Sequence, residues 1–339
     1  MIEIRNLNKT FPATKGMLSH GEVHAVRGVS FRLDDAGAIS VIGESGCGKT
    51  TIGRILAGLE PHTGGDLIFD GVNLNKLPVA VRQPYFRKVQ LIHQDPYTAL
   101  NPAHTIVRTL TSPLMLQAKK HGRDASWIEK RAQELMGLVG LDPRGTFYKY
   151  PHQLSGGQRQ RIVIARALTV EPSVLVADEA VSMIDVSMRL DILNLLRDLR
   201  SRLGIAIVFI THDVASARYI AADGELCVLY QGEIVEYGRT DDLIVHPVHP
   251  YTQAMLSAMP VLRGLEEPGP DRYIPPEGMD EDAAAEPSCS FSPRCRWATE
   301  QCRTRHPPLI SWHGMESTET HYHACFYPEP RRVVATPVQ

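Results

Sequence analysis

Short runs of apolar, β-branched residues alternate with amphipathic stretches along the first two thirds of the chain. The strand-length runs cover residues 38–42, 173–177 and 205–211, and helical patterns occupy residues 50–58 and 188–203. Apolar runs that are bounded by polar residues and separated by helical patterns indicate βαβ units. The pattern therefore predicts an α/β fold whose core is a largely parallel sheet.

Two further segments have different patterns. Residues 1–34 and 66–75 alternate apolar and polar positions in the manner of smaller antiparallel strands, and residues 227–237 predict a terminal hairpin that turns at Gly232. Residues 97–168 carry amphipathic helical patterns, as at 128–139, without a strong strand between them. We therefore expect a helical subdomain, about residues 97–168, inserted into a first domain that spans residues 1–245.

Composition changes after Pro260. Residues 263–287 are rich in Glu, Asp, Pro and Ala and contain few large apolar groups, which is typical of a linker. Four of the six cysteines follow in the remaining residues. A chain of 339 residues has room for two folded units, so we expect residues 246–339 to form a small Cys-rich C-terminal extension.

Charge and hydropathy argue against a general nucleic-acid-binding protein and against a secreted or membrane-spanning one. A formal net charge of −2 gives no support for general nucleic-acid binding, which usually leaves a basic footprint. The N-terminus lacks the basic start and long apolar core of a signal peptide. The longest apolar runs fall far below the ~20 residues that span a bilayer. We expect a protein that meets a membrane only through partners.

A phosphate-binding loop follows the apolar run 38–42. The sequence Gly-Glu-Ser-Gly-Cys-Gly-Lys-Thr at residues 43–50 fits the eight-residue P-loop pattern, in which backbone N–H groups curl round a β-phosphate. Lys49 can reach the β- and γ-phosphate oxygens, and the Thr50 hydroxyl can bind Mg²⁺. The candidate phosphate-contacting residues are Gly43, Ser45, Gly46, Gly48, Lys49, Thr50 and Thr51. The alternative is a Gly-rich turn without a ligand, and Cys47 is interpreted as a small filler rather than a redox sensor.

Two carboxylates end the apolar run 173–177. Asp178 is placed to reach the water shell of a bound Mg²⁺, and Glu179 to polarise an attacking water as general base. The alternative for Glu179 is a surface residue at a helix start. Together with the P-loop, the pair predicts hydrolysis of ATP.

Leu-Ser-Gly-Gly-Gln at residues 154–158, in this order and spacing, resembles the signature of the ATP-binding cassette (ABC) ATPases. The resemblance implies an ABC nucleotide-binding domain with a P-loop core, an antiparallel β subdomain and a helical subdomain. It also implies that Ser155, Gly156, Gly157 and Gln158 grip nucleotide held by a second ATPase subunit.

The same resemblance assigns roles to residues outside the P-loop. Gln94 matches the Q-loop, which senses Mg²⁺, and His212 matches the histidine that touches the γ-phosphate. Asp185 occupies the D-loop, which crosses the dimer interface. Phe11 is a candidate platform for adenine, and the alternative for it is a core Phe.

Three stretches are similar to the ATPases of dipeptide/oligopeptide importers. They are residues 11–18 with 24–31, residues 94–102, and the His-Pro-Tyr-Thr segment at 249–260. The resemblance implies a second, different ATPase subunit, two permeases and an extracytoplasmic binding protein, with the chain peripheral at the cytoplasmic face of the membrane. Peptide is the predicted cargo; nickel chelates, glutathione and oligosaccharides occur in the same family. A soluble non-transport ATPase, an exporter ATPase and a non-enzymatic subunit are the rival classes.

The four late cysteines predict a metal centre. Cys289, Cys295, Cys302 and Cys325 lie in a segment too short for a good core of its own. In a cytosolic chain disulfides are disfavoured, and the segment resembles the tail of peptide-importer ATPases that hold a [4Fe–4S] cluster. Zn²⁺ and unliganded or oxidised thiols are the alternatives. Four histidines are expected to be solvated loop residues rather than ligands: His306, His313, His321 and His323.

Overall fold

The computed structural model describes residues 1–15, 19–260, 266–274, 287–313 and 321–337. Residues 16–18 of the first importer-like stretch lie outside the described residues. Most of the predicted linker at 263–287 lies outside them too.

Fourteen strands occur in the described part of the chain. They are β1 Ile2–Lys15, β2 Ser19–Leu33, β3 Ala38–Ile42, β4 Gly64–Phe69, β5 Val72–Asn73, β6 Val89–Ile92, β7 Val174–Asp178, β8 Ala206–Thr211, β9 Glu225–Tyr230, β10 Glu233–Arg239, β11 Glu266–Glu267, β12 Ile310–Ser311, β13 Tyr322–His323 and β14 Thr336–Pro337.

Twelve α-helices accompany them over the same described ranges. They are α1 Lys49–Leu56, α2 Val79–Arg87, α3 Pro96–Ala99, α4 Ile106–His121, α5 Ala125–Leu138, α6 Pro143–Thr146, α7 Gly156–Leu168, α8 Val186–Leu203, α9 Val214–Ile220, α10 Thr240–Val245, α11 Pro250–Ser257 and α12 Glu300–Thr304.

The main sheet has the strand order β12-β13-β10-β9-β3-β8-β7-β6. Its central strands β9, β3, β8, β7 and β6 are parallel, with Val41 opposite Ile210 and Val176 opposite Val208. Strands β3, β7 and β8 are buried along their whole length, because helices cover parallel strands on both faces and favour continuous apolar runs. The prediction of a parallel α/β core is confirmed.

The antiparallel strands also form where the pattern indicates them. Strands β2, β1, β4 and β5 make a second, antiparallel sheet. Strands β9 and β10 make the predicted hairpin, which continues the main sheet.

Helices alone join β6 to β7 in the described residues. Their apolar faces share one core, which includes Leu110, Leu114, Leu135, Met136 and Ile162, all of them fully buried. This arrangement agrees with the helical segment expected at residues 97–168. Its limits as a subdomain stay a prediction.

The C-terminal residues extend the main sheet. Strand β13 pairs antiparallel with β10, so that His323 lies opposite Glu236 and Tyr322 opposite Tyr237, and β12 pairs with β13. Backbone pairing therefore joins β12 and β13 to the main sheet. No helix within the described ranges is both long and apolar enough to cross a membrane.

Candidate nucleotide-binding site

The P-loop connects β3 to α1 in a conformation that needs glycine. Gly48 has φ 103°, and a Cβ built on it would lie 2.1 Å from the carbonyl oxygen of Ala25. Only a residue without a side chain fits such a contact. A tight glycine-rich loop that leads into a helix N-terminus is an arrangement that binds phosphate.

Lys49 lies folded over the first residues of this loop. Its Nζ donates to the carbonyl oxygens of Gly43 and Glu44, each at 2.7 Å, and the side chain is buried. These two carbonyl groups orient the ammonium group inside the loop. Of the other predicted phosphate contacts, Ser45 and Gly46 are exposed and Thr51 is half-buried.

Thr50 and Asp178, the two side chains predicted to bind Mg²⁺ directly or through water, contact each other. The Thr50 hydroxyl donates to Oδ1 of Asp178 at 3.1 Å. Burial at the end of β7 raises the pKa of the Asp178 carboxyl, and the Thr50 hydrogen bond opposes that shift. A divalent cation here would relieve the cost of keeping Asp178 charged.

Glu179 carries the densest set of polar contacts at this edge of the sheet. Gln94 Nε2 donates to one carboxylate oxygen at 3.2 Å, and His212 Nδ1 lies 3.2 Å from the other. Glu179 itself has φ 46°, an unusual value for a residue other than glycine. Its N–H donates to the carbonyl oxygen of Ile210 at 2.9 Å, which anchors that conformation.

Strand order explains this convergence. Gln94 follows β6, Glu179 follows β7 and His212 follows β8, and these three strands are neighbours in the sheet. The carboxyl ends of parallel strands lie at one edge, where open α/β sheets place their ligands. The arrangement can hold a carboxylate in a fixed orientation as a base for a water molecule.

The signature residues lie at the start of α7. Ser155 Oγ accepts the N–H of Gln158 at 3.3 Å, and Gln158 Oε1 accepts the N–H of Ser155 at 3.1 Å. The two residues form a capping box, followed by Gly156 and Gly157 in the first helical turn. None of the described hydrogen bonds of Ser155 reaches the P-loop. The motif thus presents a helix N-terminus, which favours anions.

Asp185 and Phe11 lie at separate places. Asp185 precedes α8, and its backbone oxygen accepts the N–H groups of Met188 and Arg189. Phe11 lies in β1 opposite Val23, and the described contacts of its ring include Lys9 Nζ at 4.5 Å from the centroid. The described contacts do not bring Phe11 to the P-loop, so its adenine role stays a prediction.

All four late cysteines line one small cavity. Phe291 and Trp297 contribute apolar walls to it, beside Cys289, Cys295, Cys302 and Cys325. All four are free thiols. Burial raises the pKa of Cys289 to about 11 and that of Cys325 to about 12, so both thiols stay protonated unless a cation stabilises the thiolates.

The described residues contain no group of three or more His, Cys, Asp or Glu side chains arranged to hold a metal ion. The predicted metal centre is therefore not supported by a ready-made ion site.

The expectation of solvated histidines is wrong for two of them. His321 and His323 are each only 2% exposed, and His321 Nε2 lies 2.8 Å from Oε1 of Glu236. His306 is partly exposed and bonds Glu233.

Two residues next to the P-loop were missed by the sequence analysis. The Tyr251 hydroxyl accepts the N–H of Glu44 at 2.9 Å, and Arg294 Nη1 lies 2.8 Å from Oε2 of Glu44. Tyr251 belongs to the His-Pro-Tyr-Thr segment, which marked a family resemblance and gave no hint of a contact. No pattern in the sequence pointed to a contact between Arg294 and the P-loop.

The fold and its strand-end site define an ABC-type ATPase. Residues 26–182 match the ABC transporter family, and residues 235–302 match the C-terminal region of oligopeptide/dipeptide transporters. The dipeptide transport ATP-binding protein DppF of Haemophilus influenzae is 39% identical over 331 residues, 95% of this chain and 94% of that protein. The chain therefore belongs to the ABC transporter ATPases of the oligopeptide/dipeptide group.

Two further comparisons agree. The glutathione import ATP-binding protein GsiA of Escherichia coli is 44% identical over 263 residues, which are 77% of this chain and 41% of that protein. A dimeric ATP-binding cassette solved in a post-hydrolysis state with ADP and phosphate superposes with a TM-score of 0.62 at 28% identity. It covers 71% of this chain and 99% of that one.

Proposed function

We propose that this chain hydrolyses ATP to energise the uptake of di- and oligopeptides through partner membrane subunits. The observation that carries the proposal is the placement of Glu179 between Gln94 and His212, beside the Thr50–Asp178 pair. A charged, oriented carboxylate next to a magnesium-binding pair is the arrangement that hydrolysis of a nucleoside triphosphate needs.

Each polar side chain has a role in this proposal. Lys49 and the P-loop N–H groups bind the β- and γ-phosphates of ATP. Thr50, Asp178 and Gln94 would hold Mg²⁺, which neutralises charge on the transferred phosphoryl group. Glu179 takes a proton from the attacking water, and His212 orients the γ-phosphate.

A second ATPase subunit completes the site. Ser155, Gly156, Gly157 and Gln158 lie at a helix N-terminus outside their own P-loop, so we assign them to nucleotide bound by the partner, across an interface that contains Asp185. By the same symmetry, the partner's signature closes over the P-loop of this chain. ATP then favours the closed dimer because only that state provides both sets of contacts.

The family supports the proposed cargo and partners. DppF is named for dipeptide transport, and GsiA for glutathione import. We assign peptide as cargo, with two permeases, a different ATPase subunit and an extracytoplasmic binding protein as partners. The chain would then sit peripherally on the cytoplasmic face of the membrane, with residues 1–245 as the ATPase domain and 246–339 as the extension.

Reconstitution tests this function. The chain is coexpressed with two permeases, a second ATPase and a binding protein of the proposed importer, and the complex is placed in vesicles. Binding protein loaded with a dipeptide should raise ATP turnover several-fold above empty binding protein, and labelled dipeptide should accumulate. Nickel chelate, glutathione and an oligosaccharide are tested in parallel as alternative cargoes. Stimulation by one of these and by no dipeptide would overturn the cargo, and hydrolysis without any transport would overturn the importer.

We also propose that the four late cysteines hold a [4Fe–4S] cluster. Support comes from the four thiols around one cavity walled by Phe291 and Trp297. Four thiolates suit either a single Zn²⁺ or a [4Fe–4S] cluster. A cluster binds each thiolate to a different iron, which suits thiols spaced around a cavity.

Metal analysis decides between the three alternatives. Anaerobically purified protein should contain about four iron atoms per chain and absorb broadly near about 400 nm. Cys302→Ser should lose most of the iron, whereas Cys227→Ser, which changes a fully buried cysteine in β9 away from the cavity, should keep it. Zinc without iron would contradict the cluster and keep a structural centre. If the protein contains neither iron nor zinc, the proposal of a shared metal site is wrong.

A further inference from the structure

Glu44, the second residue of the P-loop, has a partner for each of its polar groups. Its N–H donates to the Tyr251 hydroxyl at 2.9 Å, its carbonyl oxygen accepts Lys49 Nζ at 2.7 Å, and its carboxylate pairs with Arg294 Nη1 at 2.8 Å. Lys49 belongs to the P-loop itself. Tyr251 and Arg294 come from the C-terminal extension, 207 and 250 residues away along the chain.

Tyr251 is rigidly placed. Its side chain is 2% exposed, and its ring centroid lies 4.6 Å from that of Tyr230 and 5.4 Å from that of Phe291. His249 caps the helix that carries it, with Nδ1 accepting the N–H of Tyr251 at 3.1 Å. A phenol ring held on several sides has few other places for its hydroxyl, so the hydrogen bond to Glu44 fixes the start of the loop.

Arg294 is held by the turns of the cysteine segment. Its N–H donates to the carbonyl oxygen of Phe291 at 3.1 Å, and the N–H of Ser292 donates to that of Cys289 at 2.9 Å. The guanidinium lies near the rings of Tyr230 and Phe291, at 5.9 and 5.7 Å from their centroids. The segment between Cys289 and Cys295 thus presents one cation to the P-loop.

We infer that Tyr251 and Arg294 are positioning residues for ATP, through which the C-terminal extension sets the geometry of the P-loop. Tyr251 holds the peptide unit that joins Gly43 to Glu44, and the carbonyl oxygen of that unit, on Gly43, orients the Lys49 ammonium group that meets the phosphates. Arg294 holds the Glu44 side chain. The inference rests on the P-loop being the ATP site. It adds a role for the extension that the hydrolytic residues do not require.

The first test removes a single hydroxyl. Tyr251→Phe keeps the ring and its packing but leaves the N–H of Glu44 without its acceptor. We expect the Kd of the full-length chain for Mg-ATP, measured with a fluorescent ATP analogue, to rise about fivefold to tenfold. Tyr327→Phe is the matched control, because it removes a hydroxyl bonded to Gln301 within the same extension, and its Kd should stay at the wild-type value.

The second test uses charge. Arg294→Gln should raise the Kd by about twofold to threefold, since a partly exposed ion pair contributes modestly, and Arg294→Lys should restore most of the affinity. Arg296→Gln is the control, since Arg296 lies over the rings of Tyr273 and Trp297 in the same segment. In the assembled complex the variants should raise the KM for ATP while kcat stays within about twofold, because the hydrolytic groups are unchanged.

Amide exchange separates positioning from general stability. Hydrogen exchange in peptides that span residues 43–49 should become faster in Tyr251→Phe, while exchange in β7 and β8 stays unchanged. If Tyr251→Phe binds Mg-ATP with wild-type affinity and exchanges residues 43–49 at the wild-type rate, the inference is wrong. If the wild-type chain itself fails to bind Mg-ATP, the assignment of the P-loop fails instead.

Discussion

The nucleotide site and the contact between β10 and the C-terminal extension treat charge in opposite ways. At the site, His212 keeps 59% of its side chain exposed beside Glu179. Where the extension packs on β10, Glu236 of that strand is fully buried and accepts three hydrogen bonds, from the N–H groups of Val248 and His249 and from His321 Nε2. A buried charge must be fully paired within the protein, whereas an exposed one is available to a ligand. The nucleotide site is thus open to a ligand, whereas the polar groups around Glu236 already have partners within the protein.

The largest expected effect lies at the exposed site. Glu179→Gln keeps the size of the side chain but cannot accept a proton from water. ATP turnover of the assembled complex should fall by about 100-fold or more, while Mg-ATP binding and the melting temperature stay close to wild type. Measurement of phosphate release and of nucleotide affinity on the same preparation checks this. Undiminished turnover would remove Glu179 from the role of general base.

The second-largest effect is on the stability of the buried region around Glu236, and nucleotide binding should stay unchanged. Glu236→Ala leaves two buried N–H groups and His321 without their acceptor, so the free energy of unfolding should fall by about 3 kcal/mol. Glu233→Ala is the matched control on the same strand. Its partners His306 and Arg27 are both partly exposed, and the expected loss is below about 1 kcal/mol. Urea unfolding of both variants gives the difference, and equal losses would contradict the contrast between the regions.

The third effect is a pH dependence of the same buried region. Burial lowers the pKa of His249 to about 4 from an ordinary value of 6.5. The unfolded chain therefore binds a proton at higher pH than the native one, and stability falls as pH drops below about 6.5. The loss should reach about 2 kcal/mol at about pH 5. His249→Asn keeps a side-chain acceptor for the helix cap, and it should remove this share of the pH dependence. A wild-type slope in that variant would assign the effect to other groups.

The two regions also differ in how far the sequence predicts them. The runs at β3, β7 and β8 were predicted because strands buried on both faces are continuously apolar. The family resemblance assigned Gln94 and His212 to the same site as Asp178 and Glu179, and the structure places all four at strand ends of one parallel sheet.

The contacts between β10 and the extension offered no such periodic signal. Glu236 lies in a short hairpin strand, and its partners Val248 and His321 are 12 and 85 residues away along the chain. Pairing between buried polar groups depends on tertiary placement, and local patterns do not encode it. For the same reason the contacts of Tyr251 and Arg294 with Glu44 were missed, and His321 was wrongly expected in solvent.

The smallest expected effect tests whether the nucleotide site of a second subunit needs Ser155. Ser155→Ala removes the cap of α7, so the free energy of unfolding should fall by about 1 kcal/mol. Ser155→Asp keeps a capping oxygen and should stay close to wild-type stability, but it adds negative charge where a partner's phosphates would lie.

If the signature serves the partner's nucleotide, both variants should leave the ATP affinity of the isolated chain within about twofold of wild type, because Ser155 makes no described bond to its own P-loop. Turnover of the assembled complex should fall in both, and further in Ser155→Asp than in Ser155→Ala despite the better cap. If turnover instead follows helix stability, with the Asp variant as active as wild type, Ser155 is a capping residue alone. The site would then need no second subunit at that position.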